Sequence, residues 1–110
     1  MQIELSLRVM ATLIETEKGG RQGPISASSY RPWCRVRDRD GSEVLIGMCE
    51  MRFDGVVAPG ETSEGELVFA EAEPATRLLP VGTKFEFIEG LRSVASCEVL
   101  AARSTPPPKR

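Results

Sequence analysis

Apolar and polar residues alternate along most of this chain, which is the pattern of strands that bury one face. The clearest run extends from Ile3 to Leu13, where every second residue is apolar. The same period of two recurs from Trp33 to Arg39, from Thr83 to Glu89 and from Arg92 to Ala102. A period of two predicts half-buried β-strands in all four segments.

The middle of the chain predicts two further strands. Val44 to Phe53 is apolar on both faces and is predicted as one strand, with a bulge where Gly47 interrupts it. Leu67 to Glu71 forms a second, shorter strand, and the prolines within residues 73–81 disfavour a long helix there. About six strands without a helix predict an all-β fold, either an antiparallel barrel or a sandwich.

The length of 110 residues, with 41% hydrophobic residues, fits one domain that can bury a core. We expect this single domain to comprise residues 1–103. Residues 104–110 are rich in proline and lack apolar side chains, so they are expected to form a disordered tail. The residues expected in the core are Leu7, Phe85, Phe87 and Val94.

Several classes of chemistry are excluded or disfavoured by what the sequence lacks. The formal net charge of −2 argues against general binding of polyanions, and the absence of histidine removes the commonest catalytic base and metal ligand. No phosphate-binding loop and no apolar stretch of membrane-spanning length occur. We therefore expect no catalysis, no metal, no cofactor, no nucleotide and no membrane contact.

The three cysteines indicate the compartment. Cys34, Cys49 and Cys97 are widely spaced and form no C-x-x-C motif. An odd number of cysteines without metal-ligand spacing is typical of reduced thiols. All three are therefore expected to be free, in a cytoplasmic protein.

Two motifs near the ends of the domain resemble a known family. The first is a loop with Gly19-Gly20-Arg21, a proline at position 24 and Tyr30-Arg31-Pro32; the second is the segment from Gly82 to Val94, with its Glu-Gly turn. Both are similar to motifs of the C-terminal β-barrel domain of translation elongation factor Tu. The resemblance implies a closed, six-stranded antiparallel β-barrel, here without the GTPase domain that accompanies it in the family.

The resemblance also implies candidate binding residues. In the family this domain contacts the backbone of tRNA, and the matching arginines here are Arg21, Arg31 and Arg92, with the hairpin turn retained as Glu89-Gly90. Three positions depart from the family pattern: Gln22 replaces a histidine, Trp33 a glutamine and Asp40 a threonine. An aspartate repels phosphate, whereas an exposed indole can stack on a base. The candidate RNA- or partner-binding residues are Arg21, Gln22, Arg31, Trp33, Asp40, Glu89, Gly90 and Arg92.

Two functions are compatible with this sequence. One is a translation-linked module that binds tRNA-like RNA through the arginines. The other is a protein-interaction module that binds a different protein or a second copy of itself. Under the second hypothesis Arg21 and Arg31 are bonded to loop carbonyls or acidic residues, and Trp33 caps the barrel.

Overall fold

A computed structural model describes residues 4–26 and 30–105. These residues form one antiparallel sheet with the strand order β3-β2-β6-β7-β1-β5-β4. A 3-10 turn follows β1, and one helical turn, α1, follows β5. The elements are β1 (Glu4–Leu13), the 3-10 turn (Thr16–Lys18), β2 (Trp33–Arg37), β3 (Glu43–Ile46), β4 (Cys49–Phe53), β5 (Thr62–Phe69), α1 (Ala75–Leu78), β6 (Lys84–Glu89) and β7 (Arg92–Thr105).

The sheet is strongly curled, and the chain connectivity explains why. β3 and β4 lie at opposite edges of the sheet, yet only Gly47 and Met48 separate them. A flat sheet of seven strands would place its edges about 29 Å apart, whereas three Cα steps span at most about 11 Å. The two edges must therefore approach each other, and the sheet bends into a half-barrel.

The prediction of a closed six-stranded barrel is wrong, because the described residues form a sheet of seven strands in which no ladder joins the two edges. The extra strand arises where Val44 to Phe53, predicted as one bulged strand, divides into β3 and β4. At the break Met48 has a left-handed backbone with φ of 59°. This conformation is rare for a residue other than glycine and redirects the chain to the other edge of the sheet.

The loop that precedes β2 partly covers the edge of β4. The Met51 amide donates to the Tyr30 carbonyl at 2.7 Å, and Ile25 and Val57 exchange two backbone hydrogen bonds of 2.8 and 3.0 Å. These isolated bridges attach the loop to this side of the half-barrel. Backbone groups of an edge strand are thereby satisfied without a further strand.

The core lies on the concave face of the sheet, as the alternation predicts. On β1 every second residue from Leu5 to Leu13 is buried. Four aromatic and aliphatic residues predicted to be buried are confirmed, with exposed fractions of 4% or less. They are Leu7, Phe85, Phe87 and Val94.

The last strand extends into the predicted tail. β7 continues to Thr105, two residues beyond the predicted boundary at residue 103, and pairs there with Glu4 of β1. The remainder of the predicted disordered tail, residues 106–110, lies outside the described residues.

Candidate binding surface

The Gly-Gly-Arg loop meets the hairpin between β6 and β7 at one end of the sheet. The Tyr30 hydroxyl donates to Glu89 Oε2 at 2.5 Å, and Arg21 Nη1 lies 3.7 Å from the same oxygen. The Arg21 guanidinium also lies 5.6 Å from the centroid of the Tyr30 ring. Three side chains thus fasten the loop to the hairpin, and Glu89 neutralises the cation that the RNA hypothesis requires.

Burial and the hydrogen bond to Glu89 raise the pKa of the Tyr30 hydroxyl. Burial contributes first, because it disfavours the phenolate, and the neighbouring carboxylate adds to it. Tyr30 therefore stays protonated and acts as a hydrogen-bond donor. This fixes its role as a structural link between loop and hairpin.

The other predicted residues of this end lie around the same junction. Gln22 is exposed on the loop, and Arg92 Nη1 donates to the Gly20 carbonyl at 3.4 Å. Gly90 occupies the hairpin turn with φ of 63°. The structure thus brings five of the predicted residues to one end of the sheet, of which Arg21 and Arg92 bond within the protein. The five are Arg21, Gln22, Glu89, Gly90 and Arg92.

Asp40 lies apart from that group. It follows the far end of β2, whereas Trp33 at the near end pairs with Ile88, the neighbour of Glu89. The five residues of β2 span about 13 Å. Asp40 Oδ1 accepts bonds from the Ser42 amide at 2.9 Å and the Ser42 hydroxyl at 2.6 Å, which lower the pKa of its carboxyl. Asp40 therefore shapes the turn between β2 and β3.

Arg31 and Trp33 border a cleft of about 460 Å³ beside the link between β3 and β4. Arg31 is exposed and forms no ion pair with a described residue. The Trp33 indole is 51% exposed and packs on Gly47, where an added Cβ would lie 2.6 Å from Cζ3. Trp33 therefore covers the link, while about half of its surface stays exposed to solvent.

Two exposed apolar residues beside Trp33 were not predicted from the sequence. Met48 is 90% exposed and borders the same cleft, and Leu45 is 56% exposed beside an adjoining groove that Met48 also borders. The sequence does contain a signal for their exposure. The segment from Val44 to Phe53 is apolar on both faces, and only one face can point into the core, so the apolar residues of the other face must be exposed. We call Arg31, Trp33, Leu45 and Met48 the Trp33 surface.

Most arginines on the strands are paired with carboxylates. Arg8 contacts Asp54, Glu64 and Glu66 on the outer face. The remaining strand pairs and one pair at α1 follow the same principle, so these particular arginines are already neutralised and offer phosphate little free charge. These pairs are Arg35–Glu86, Arg37–Glu43, Arg52–Glu50 and Arg77–Asp38.

Comparison with known proteins does not assign the chain to a family. No family model matches the chain, and no curated protein matches it. Among residues 4–26 and 30–105, no group of three histidine, cysteine or acidic residues is placed to hold a metal ion. No helix in the same part of the chain is long and apolar enough to cross a membrane.

The structure predicts different roles for the two arginines of the loop. Arg21→Ala is expected to lower the free energy of unfolding by about 1–2 kcal/mol, because it removes the contacts with Glu89 and Tyr30. Arg31→Ala, at an exposed and unpaired position, should change it by less than about 0.5 kcal/mol. Urea denaturation of both variants measures this difference. Equal stability of the two would contradict the structural role of Arg21.

Proposed function

We propose that this protein is a non-catalytic binding module that captures an extended segment of a protein partner on the Trp33 surface. The observation that carries the proposal is the cluster of Trp33, Leu45 and Met48, three large apolar side chains that are all at least half exposed. Exposed apolar clusters mark interaction sites, and tryptophan is enriched among the residues that dominate binding energy.

The neighbouring sheet edge supports an extended partner. β3 is an edge strand of four residues that pairs only with β2 in the described sheet. The outer side of such a strand presents backbone N–H and C=O groups to an incoming strand. A peptide can add to this edge through main-chain hydrogen bonds while its side chains contact Leu45 and Met48.

Arg31 supports an acidic residue in the partner. It is an exposed guanidinium beside Trp33, without a carboxylate partner among the described residues. A carboxylate of the partner would pair with it at the rim of the apolar contact, where charge complementarity selects the partner and its orientation. The proposed ligand therefore combines an extended backbone, a large apolar residue and an aspartate or glutamate.

RNA binding is the alternative, favoured by one observation: an exposed indole and an unpaired guanidinium border the same cleft. Stacking of a base on Trp33 would add to one phosphate contact from Arg31. RNA binding has fewer cations to draw on, because Arg21 faces Glu89 and Arg92 bonds to a loop carbonyl. A single phosphate contact gives a slope of log affinity against log salt of only about −0.7 to −0.9.

A peptide-display selection on the purified full chain tests the proposal. Selected peptides are expected to contain a large apolar residue and an acidic residue, and their binding is followed by the fluorescence of Trp33, the single tryptophan. We expect Met48→Ala to weaken binding about 30-fold, the effect of losing a dominant contact. Arg31→Glu should abolish the binding of acidic peptides, because it places a carboxylate opposite theirs. Val56→Ala, at another exposed apolar position, should leave the peptide affinity unchanged.

Two outcomes would contradict the proposal. One is peptide binding that Met48→Ala and Arg31→Glu leave unchanged. The other is that no peptide is selected, while single-stranded RNA at low salt changes the Trp33 fluorescence and this change requires Arg31. That result would favour RNA binding. Light scattering distinguishes a third outcome, in which the Trp33 surface binds a second copy of the chain.

A further inference from the structure

Two cysteines from opposite sides of the half-barrel are in contact inside it. Cys34 lies on β2, and Cys49 begins β4 at the far edge of the sheet order. Their sulfur atoms are 3.8 Å apart, and both residues are buried free thiols. The contact exists because the sheet curls until its two edges meet at Gly47 and Met48.

The distance is short enough for a bond to form with small side-chain movements. A disulfide requires a sulfur separation of about 2.05 Å, so the two atoms must approach by a little under 2 Å. Cys97 is also buried, on β7, and neither of the other two sulfurs forms a hydrogen bond with its sulfur. The geometry therefore selects one pair among the three cysteines.

Small oxidants have a route to one sulfur of the pair. Cys49 borders the cleft between Trp33 and Met48, whereas Cys34 has no exposed surface and lies behind it. The hydrogen-bond contact between the two sulfurs lowers the pKa of Cys49 and, together with burial, raises that of Cys34. Access and hydrogen bonding thus both favour Cys49 as the sulfur that reacts first.

We propose that Cys34 and Cys49 form a reversible oxidation site, in which a disulfide links the two sides of the half-barrel. With a hydroperoxide, the Cys49 sulfur attacks one oxygen, the O–O bond breaks, and a sulfenic acid and water or an alcohol form. The Cys34 sulfur then attacks the Cys49 sulfur, the S–O bond breaks, and water leaves with the Cys34 proton. Two thiols are oxidised and one hydroperoxide is reduced; a dithiol reductant then restores the two thiols by exchange and becomes a disulfide itself.

The bond would add a second covalent connection between the two sides of the sheet, beside the Gly47–Met48 link. It would enclose β3 and the Gly47–Met48 link in a loop between residues 34 and 49. The bonded residues directly adjoin Trp33 and Met48, so the Trp33 fluorescence is expected to report the change. The oxidation site stands independently of the proposed partner, because it depends only on the sulfur geometry.

Peptide mass mapping of the oxidised full chain tests the site. The protein is treated with hydrogen peroxide at low molar excess, remaining thiols are alkylated, and the peptides are analysed without reduction. We expect a cross-link between Cys34 and Cys49, a loss of about 2 Da for the two hydrogens removed, and alkylation of Cys97 alone. Dithiothreitol should restore three alkylated thiols after unfolding.

Matched variants and a folding control complete the test. Cys97→Ser should oxidise at the wild-type rate, whereas Cys49→Ser should lose the rapid reaction and Cys34→Ser should stop at a sulfenic acid on Cys49. The rate in native buffer should exceed the rate in urea, because the fold brings the sulfurs together. Three results would overturn the proposal: a cross-link that involves Cys97, cross-links only between molecules, or faster cross-linking in urea than in the native state. If a variant does not fold, the peptide map of the wild-type protein still decides.

Discussion

Replacing Phe87 with alanine is expected to lower the free energy of unfolding by about 3–5 kcal/mol, the typical cost of deleting a buried aromatic ring. Phe87 has no exposed surface and lies on β6, between Cys34 of β2 and Ala95 of β7. Its ring meets the Tyr30 ring edge-on, with the centroids 5.9 Å apart. The substitution therefore leaves a cavity where the two motifs of the domain meet.

Urea denaturation followed by circular dichroism measures the effect, and Leu91→Ala provides the control. Leu91 lies at the tip of the β6–β7 hairpin and is fully exposed, so its truncation should change stability by less than about 0.5 kcal/mol. A loss below about 1 kcal/mol for Phe87→Ala would mean that this ring does not occupy the centre of the core.

Gly20→Ala is expected to destabilise the protein by about 3 kcal/mol or more, at the upper end of overpacking effects. A Cβ at this position would lie 1.9 Å from the Ile14 carbonyl oxygen. That oxygen cannot move away easily, because the Ile14 amide bonds to Val94 and the Gly20 amide bonds to the Glu15 carbonyl. The end of β1 and the start of the loop would have to separate.

Gly23→Ala is the matched control for this prediction. It lies three residues further along the same loop, without a positive φ, and an added Cβ would meet nothing within 4 Å. It should be neutral or slightly stabilising, because alanine restricts the unfolded chain. Thermal unfolding of both variants measures the difference, and a stable Gly20→Ala protein would show that loop and β1 do not approach this closely.

The strands that bury one face could be predicted from the sequence, because their alternation is a local signal. β1 and β6 agree with the prediction almost residue for residue. The segment from Val44 to Phe53 could not be resolved, because residues apolar on both faces do not indicate which side faces the core. At its break Met48 has a left-handed backbone and Trp33 packs on Gly47, and neither feature has a local pattern in the sequence. The number of strands and the open sheet follow from that break.

The candidate site was predictable only in part, for a similar reason. The structure brings Arg21 and Arg92 together at the β6–β7 hairpin, a proximity that the two motifs did not indicate by themselves. The carboxylate that faces Arg21 could not be identified from spacing, because Glu89 is 68 positions away along the chain. The sequence does place Asp40 directly after the predicted strand from Trp33 to Arg39, at the end opposite Trp33.

The position of β1 also determines when this fold can assemble. Of the described strands β1 comes first along the chain, but its neighbours in the sheet are β5 and β7. Leu5 pairs with Phe69 and Glu4 pairs with Thr105, so both partners are synthesised much later. During synthesis on a ribosome, β1 therefore meets neither of these partners until β5, which begins at Thr62, has emerged. Closing the long loops to β1 is the entropically costly step of folding.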